Sequence, residues 1–237
     1  MSTSEKNKNA INDNRKAIFS IESNVLSNKA MVYLSRSMIE ENRLMIMSNY
    51  SAAFMGNRQL ANANTDEIFA NRDAILDGMS AEGDVQQNYV NAQKNKSALD
   101  FLNHRSELNT SVLEISEKMA TINSHMIEIN LEIMNANKSI VDFNAEQIAI
   151  NAEMIQGSLS ATEATPVSNE DMIAVNSAAM ATLSANVSKN RATIESLLEK
   201  SVLNSSALVK NKAEINDRRE SIMENRKGIA ANKAKIG

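Results

Sequence analysis

Asparagine recurs every seven residues along almost the whole chain, and this spacing constrains the fold more than any other feature. Asn7 and Asn14 open a first series that continues through Ile21, Asn28, Ser35, Asn42 and Asn49; one additional residue shifts the frame, which resumes at Asn57, Asn64 and Asn71. A second series runs Asn88, Asn95, Leu102, Asn109, Ser116, Asn123, Asn130, Asn137, Asn144 and Asn151. A third runs Asn169, Asn176, Leu183, Asn190, Leu197, Asn204, Asn211, Arg218, Asn225 and Asn232. Of these 30 slots 23 hold Asn, out of 32 Asn in 237 residues.

The residue four after each slot is usually apolar, as at Ile11, Ile18, Val25, Val32, Ile39 and Ile46 in the first series, Leu113, Ile127 and Ile148 in the second, and Ile173, Ile194 and Ile222 in the third. Steps of four and then three are coiled-coil steps, with the aliphatic residue at heptad position a and Asn at d. Position g is often apolar too (Met31, Met38, Met45, Met119, Met126), which places the Asn stripe on the apolar face of each helix. A buried amide without a partner costs about 1–3 kcal/mol. The pattern therefore predicts that all 23 Asn point inward and bond to one another, to water or to an ion, as a core ladder that fixes register in exchange for stability.

Composition removes the competing folds. Six Gly and one Pro cannot punctuate a β protein of this length, and aromatic residues make up only 3%. The absence of Cys excludes disulfides, thiolate metal sites and a Cys nucleophile, and two His, His104 and His125, leave little room for His-based catalysis or zinc chemistry. No run of 18 apolar residues and no Sec-type leader is visible. The expected location is cytoplasmic, or the cell surface by leaderless export.

Turn and cap residues between the series delimit three helices, about 4–77, 85–156 and 169–236, with turns at 78–84 and 157–168 in a single rod-like domain. Gly78 suits a C-terminal cap; Asp84 with Gln87 and Ser168 with Asp171 suit N-caps. The predicted fold is all-α, an elongated antiparallel three-helix coiled-coil bundle running up-down-up, each helix roughly 100 Å long at 1.5 Å per residue. Asn7, Asn151 and Asn169 then come level at one end, and Asn71, Asn88 and Asn232 at the other. The exceptions fit this register: Ile21 and Leu183 replace Asn at the third level, Ser35 and Leu197 at the fifth. Antiparallel coils often set a against d, so the middle helix is either level or offset by half a heptad. The extra residue between Asn49 and Asn57 calls for a π-bulge or a local change of supercoil near Gly56.

The I-x-x-N pattern, as in Ile11–Asn14, Ile39–Asn42 and Ile222–Asn225, resembles the Asn-at-d stalks of trimeric autotransporter adhesins and some phage fibres. In those families three parallel chains meet, and rings of Asn can hold anions. The resemblance is one of motif. It implies an Asn-lined core able to hold an anion or water, and a structural role.

No catalytic constellation stands beside this repeat. His104 and His125 are too far apart on one helix to share a metal, and no Gly-rich phosphate loop, His-Glu metal motif or nucleophile elbow occurs. No enzyme activity, cofactor or metal is expected. Residues 208–237 hold eight Lys/Arg against four Asp/Glu, whereas 84–157 hold five against ten. Interspersed acids and few aromatic residues argue against nucleic acid as the partner, and attraction between helices or copies accounts for the asymmetry. The middle helix carries a further apolar row at position c, Ile115, Ile122, Ile129, Phe143 and Ile150, which widens its apolar arc and marks it as an assembly face. The function expected is a self-assembling structural protein, the subunit of a filament, sheet or lattice, with the chain itself as partner. The alternatives are a protein–protein interaction spacer or a trimeric fibre stalk.

Overall fold

A computed structural model describes residues 2–79, 83–157 and 160–236, which are all-α and contain no strand. Three long helical segments form a helical bundle. The first comprises α1 (Thr3–Tyr50), a π-helical segment (Ser51–Asn57) and α2 (Arg58–Asp77) without a loop between them; α3 spans Asp84–Ile155, and α4 spans Pro166–Ile236 after a short 3-10 turn at Ala161–Glu163. Residues 80–82 and 158–159 of the two expected turns lie outside the described residues.

The helix ends follow from local chemistry. Ser2 caps α1 through a capping box: its hydroxyl accepts from the Glu5 amide, and the Glu5 carboxylate accepts from the Ser2 amide at 2.9 Å. Two expected caps are displaced. The residue preceding α3 is Gly83, which offers no side-chain cap, so Asp84 is the first helical residue and acts as an acid in the first turn. α4 starts earlier than Ser168: Pro166 is its first residue, and Thr165 and Ser168 cap one another's amides at 3.0 and 2.8 Å. Proline's fixed φ and missing N–H suit the first helical position, which favours the start at Pro166. At the far end of α3 the left-handed residue is Gly157, with φ of 88°, whose amide bonds the Met154 carbonyl.

The π segment accommodates the additional residue. The Arg58 amide bonds the carbonyl of Ala53, five residues back, so one residue is looped out of the α-helical count and the Asn stripe stays in phase across it. Tyr50 and Phe54 stack at 5.3 Å, and the Arg58 guanidinium lies 4.5 Å from the centre of the Phe54 ring.

The chain divides into two compact units. The first, Met1–Thr65 with Thr162–Ala231, joins the first helical segment to α4. Asn7 contacts residue 166, Asn28 residue 187 and Asn49 residue 208, a constant separation of 159, so these two helices run parallel; beyond the π segment the separation becomes 158. Level positions of these two helices match the register read from the sequence, with each Asn one helical turn from its counterpart on α4. α2 and α3 do not keep the expected level or half-heptad register, since Asp66 pairs with Arg105 and Phe69 meets Phe101 although Asn64 was expected level with Asn95. The second unit, Asp66–Ala161 with Asn232–Gly237, contains an antiparallel hairpin of α2 and α3. Leu76, Val90 and Ser97 are buried in it, Phe69 and Phe101 meet edge to face at 5.0 Å, and Arg72–Asp100, Lys94–Asp77 and Arg105–Asp66 pair along its sides. These ion pairs are exposed enough to contribute little to stability.

Because the π segment carries one residue more than an α-helix needs, deleting Ala53 should convert it to regular helix with the seam still in phase. The melting temperature by circular dichroism is expected to hold or rise. Deleting Ala30 should turn Asn42 and Asn49 out of the seam, because the surplus residue that could compensate lies beyond them in the π segment, and lower the melting temperature by several degrees or more.

Candidate assembly interface

The seam between α1 and α4 is built from asparagine side chains on one helix and main-chain oxygens on the other. The Nδ2 of Asn7, Asn14, Asn28, Asn42 and Asn49 donates to the carbonyls of Pro166, Ile173, Val187, Ser201 and Leu208 at 2.8–3.3 Å. Past the π segment, Asn57 and Asn64 donate to Ile215 and Ile222 at 2.8 Å. All the acceptors occupy position a of α4. Their carbonyls already close the helix's own i to i+4 bonds, and the second lone pair of each oxygen takes the amide. Asn14 makes one further bond, its Oδ1 accepting from Ser177 Oγ at 3.1 Å.

Reaching a main-chain oxygen requires the two helices to roll. α1 turns positions d and g into the seam, with Ala10, Ala17, Met31, Met38 and Met45 half-buried beside the Asn row. α4 turns in a and e: Val187, Ile194, Ser201 and Ile229 are buried, and Arg191, Leu198 and Ser205 partly so. The a row of α1 is left open, with Val25 still 42% exposed.

This geometry corrects the expectation of an inward-facing amide at every slot. Asn7, Asn28, Asn42, Asn57 and Asn64 are buried, and Asn14, Asn49 and Asn71 are half-buried. Those of α3 (Asn88, Asn95, Asn109, Asn123, Asn130, Asn137, Asn144, Asn151) and α4 (Asn169, Asn176, Asn190, Asn204, Asn211, Asn225, Asn232) are exposed. A side chain that bonds a neighbour's backbone needs no Asn facing it, so one row suffices for one seam. On α3 the side packed against α2 carries Val90, Ser97 and Phe101, away from its Asn row.

Ser35 is buried to 4%, and its shorter side chain leaves Oγ without a partner. Between Val25 and Val32 of α1 and Asn190 of α4 lies an open groove of ≈ 410 Å³ floored by Asn28, Val187 and Ile194. The c row of α3 is only partly covered: Ile115, Ile122, Ile129, Phe143 and Ile150 are 36–59% exposed.

Among the described residues no three His, Cys, Asp or Glu gather where they could hold a metal, and His104 and His125 lie exposed on α3. No helix among them is long and apolar enough to cross a membrane. Comparison with protein-family models, curated proteins and solved structures finds no match to this chain.

Two substitutions test the ladder. Asn42→Ala removes a buried hydrogen bond and should cost about 1–3 kcal/mol, whereas Asn137→Ala on exposed α3 should leave the stability of the isolated chain within about 0.5 kcal/mol. In the opposite direction, Ser35→Asn supplies the missing amide one register step from Asn28 and Asn42. Its expected effect in denaturant titration is a gain of about 1 kcal/mol.

Proposed function

We propose that the protein is a structural subunit that assembles with copies of itself through its helix faces into a filament, sheet or lattice. The observation that carries this reading is the apolar surface left open along α1 and α3. No large side chain among the described residues is fully buried, while the a row of α1 and the a and c rows of α3 remain exposed. Soluble monomers rarely leave contiguous apolar strips of this extent uncovered, and a repeated, non-closing contact between copies would cover them. The regularity of the repeat supports the same reading, since a surface periodic at seven residues offers equivalent docking positions along its length.

Electron microscopy of the purified protein is expected to reveal ordered polymers; dispersed particles at every concentration would overturn the proposal. The c row gives a sharper version. Ile122 and Ile129 are 48% and 47% exposed, so changing both to Lys should leave helical circular dichroism intact. Light scattering from assemblies is expected to disappear in that variant. Unfolding of the double variant would assign the row to the internal core instead.

A further inference from the structure

We infer that α3 of a second copy lies parallel in the groove between α1 and α4, in the register set by the three Asn series. This rests on the self-assembly reading and specifies which faces meet.

The replaced slots carry the register. Counted from the N-terminal end of each series, the third slot holds Ile21, Leu102 and Leu183, and the fifth holds Ser35, Ser116 and Leu197. All three helices depart from Asn at the same two levels when they run in one direction. Run against the other two, α3 would instead place Asn137 and Asn123 at those levels. A parallel α3 gathers the three aliphatic residues into one layer, and the antiparallel arrangement sets a polar amide beside Ile21 and Leu183.

Charge selects the same direction. Residues 208–237 of α4 carry eight Lys/Arg against four Asp/Glu. The stretch level with them on a parallel α3, residues 127–156, carries five Asp/Glu against one Lys. On an antiparallel α3 the level stretch is 84–112, with three of each sign. Only the parallel arrangement sets an acidic stretch against the basic one, which attracts the partner and fixes its orientation.

The surfaces required are open on both sides. The groove presents Val25 and Val32 from the a row of α1 and Asn190 from the d row of α4. α3 uses Val90, Ser97 and Phe101 in its hairpin and leaves its d row exposed, with Leu102 at 62% and Asn95 and Asn109 beside it. Within its own hairpin α3 runs against α2, so a helix lying parallel in the groove comes from another copy. The seam chemistry then repeats around three helices. Amides of α4 such as Asn190 and Asn204 donate to carbonyls at position a of the incoming α3, and amides of that α3 such as Asn109 and Asn123 donate to carbonyls at position a of α1.

The cysteine-free sequence allows thiols to be placed one at a time. Leu102→Cys and Leu183→Cys proteins, mixed and treated with a short bismaleimide, are expected to yield a covalent dimer with residue 102 joined to residue 183 in peptide maps. A single chain carrying both Asn137→Cys and Leu183→Cys is expected to give no intrachain link, and circular dichroism should report unchanged helix in every variant. A 137–183 link within one chain, or assemblies that scatter light without a 102–183 link, overturns the parallel docking and leaves self-assembly standing. Mixtures that remain monomeric by sedimentation overturn both.

Discussion

The hydrogen bond from an asparagine amide to the main chain of a parallel helix governs the seam between α1 and α4. A side-chain carboxamide is long enough to pass the partner's side chain at position a and reach the oxygen behind it. Seven such bonds repeat at nearly one length, so they fix how far the helices are rolled and how they are aligned. The roll brings d and g of α1 onto a and e of α4. It also makes strict phase a requirement, because one surplus residue in α1 would carry every later amide about 100° away from its acceptor. The π segment at Ser51–Asn57 absorbs that surplus.

Much of this was legible in the sequence, and the boundary of what was not has a physical reason. Periodicity located the three helical segments to within a few residues and the level alignment of the first with the last. The surplus residue was visible as an eight-residue step from Asn49 to Asn57. What periodicity could not give was the direction in which each helix faces. Apolar residues at both g and a flank the Asn row, so the apolar arc is wide enough to accept several rolls, and the acceptor that decides among them is a backbone oxygen, which every residue possesses. The same limit explains the α4 cap. Ser168 with Asp171 matches one capping pattern, but Thr165, Pro166 and Ser168 supply another, and the conformational restriction at Pro166 favours the earlier start.

The middle helix shows how a shared repeat serves different surroundings. α3 has the same Asn spacing as α1, yet it packs on α2 through Val90, Ser97 and Phe101, supported by the aromatic contact of Phe69 with Phe101. Its charge is acidic where the end of α4 is basic. Packing in the hairpin depends on particular side chains, whereas the seam of α1 with α4 depends on backbone atoms that differ little from one heptad to the next. Sequence identity therefore matters most at the few slots where Asn is absent, because only there does volume or polarity distinguish one level from another.

A bond that runs from a side chain to a backbone has a direction, and that gives the α1–α4 pair an unsaturated valence. α1 spends its donors and keeps its row of a carbonyls; α4 spends those acceptors and keeps its row of amides, which are exposed. Two parallel helices joined this way always leave one donor row and one acceptor row over, however long they grow. A pair joined by symmetric Asn–Asn bonds would leave nothing over and could end there. The asymmetry also has a rotational sense. Further parallel helices can be added only so that donors follow one another around the axis in a single direction, and the mirror order would set amide against amide and carbonyl against carbonyl.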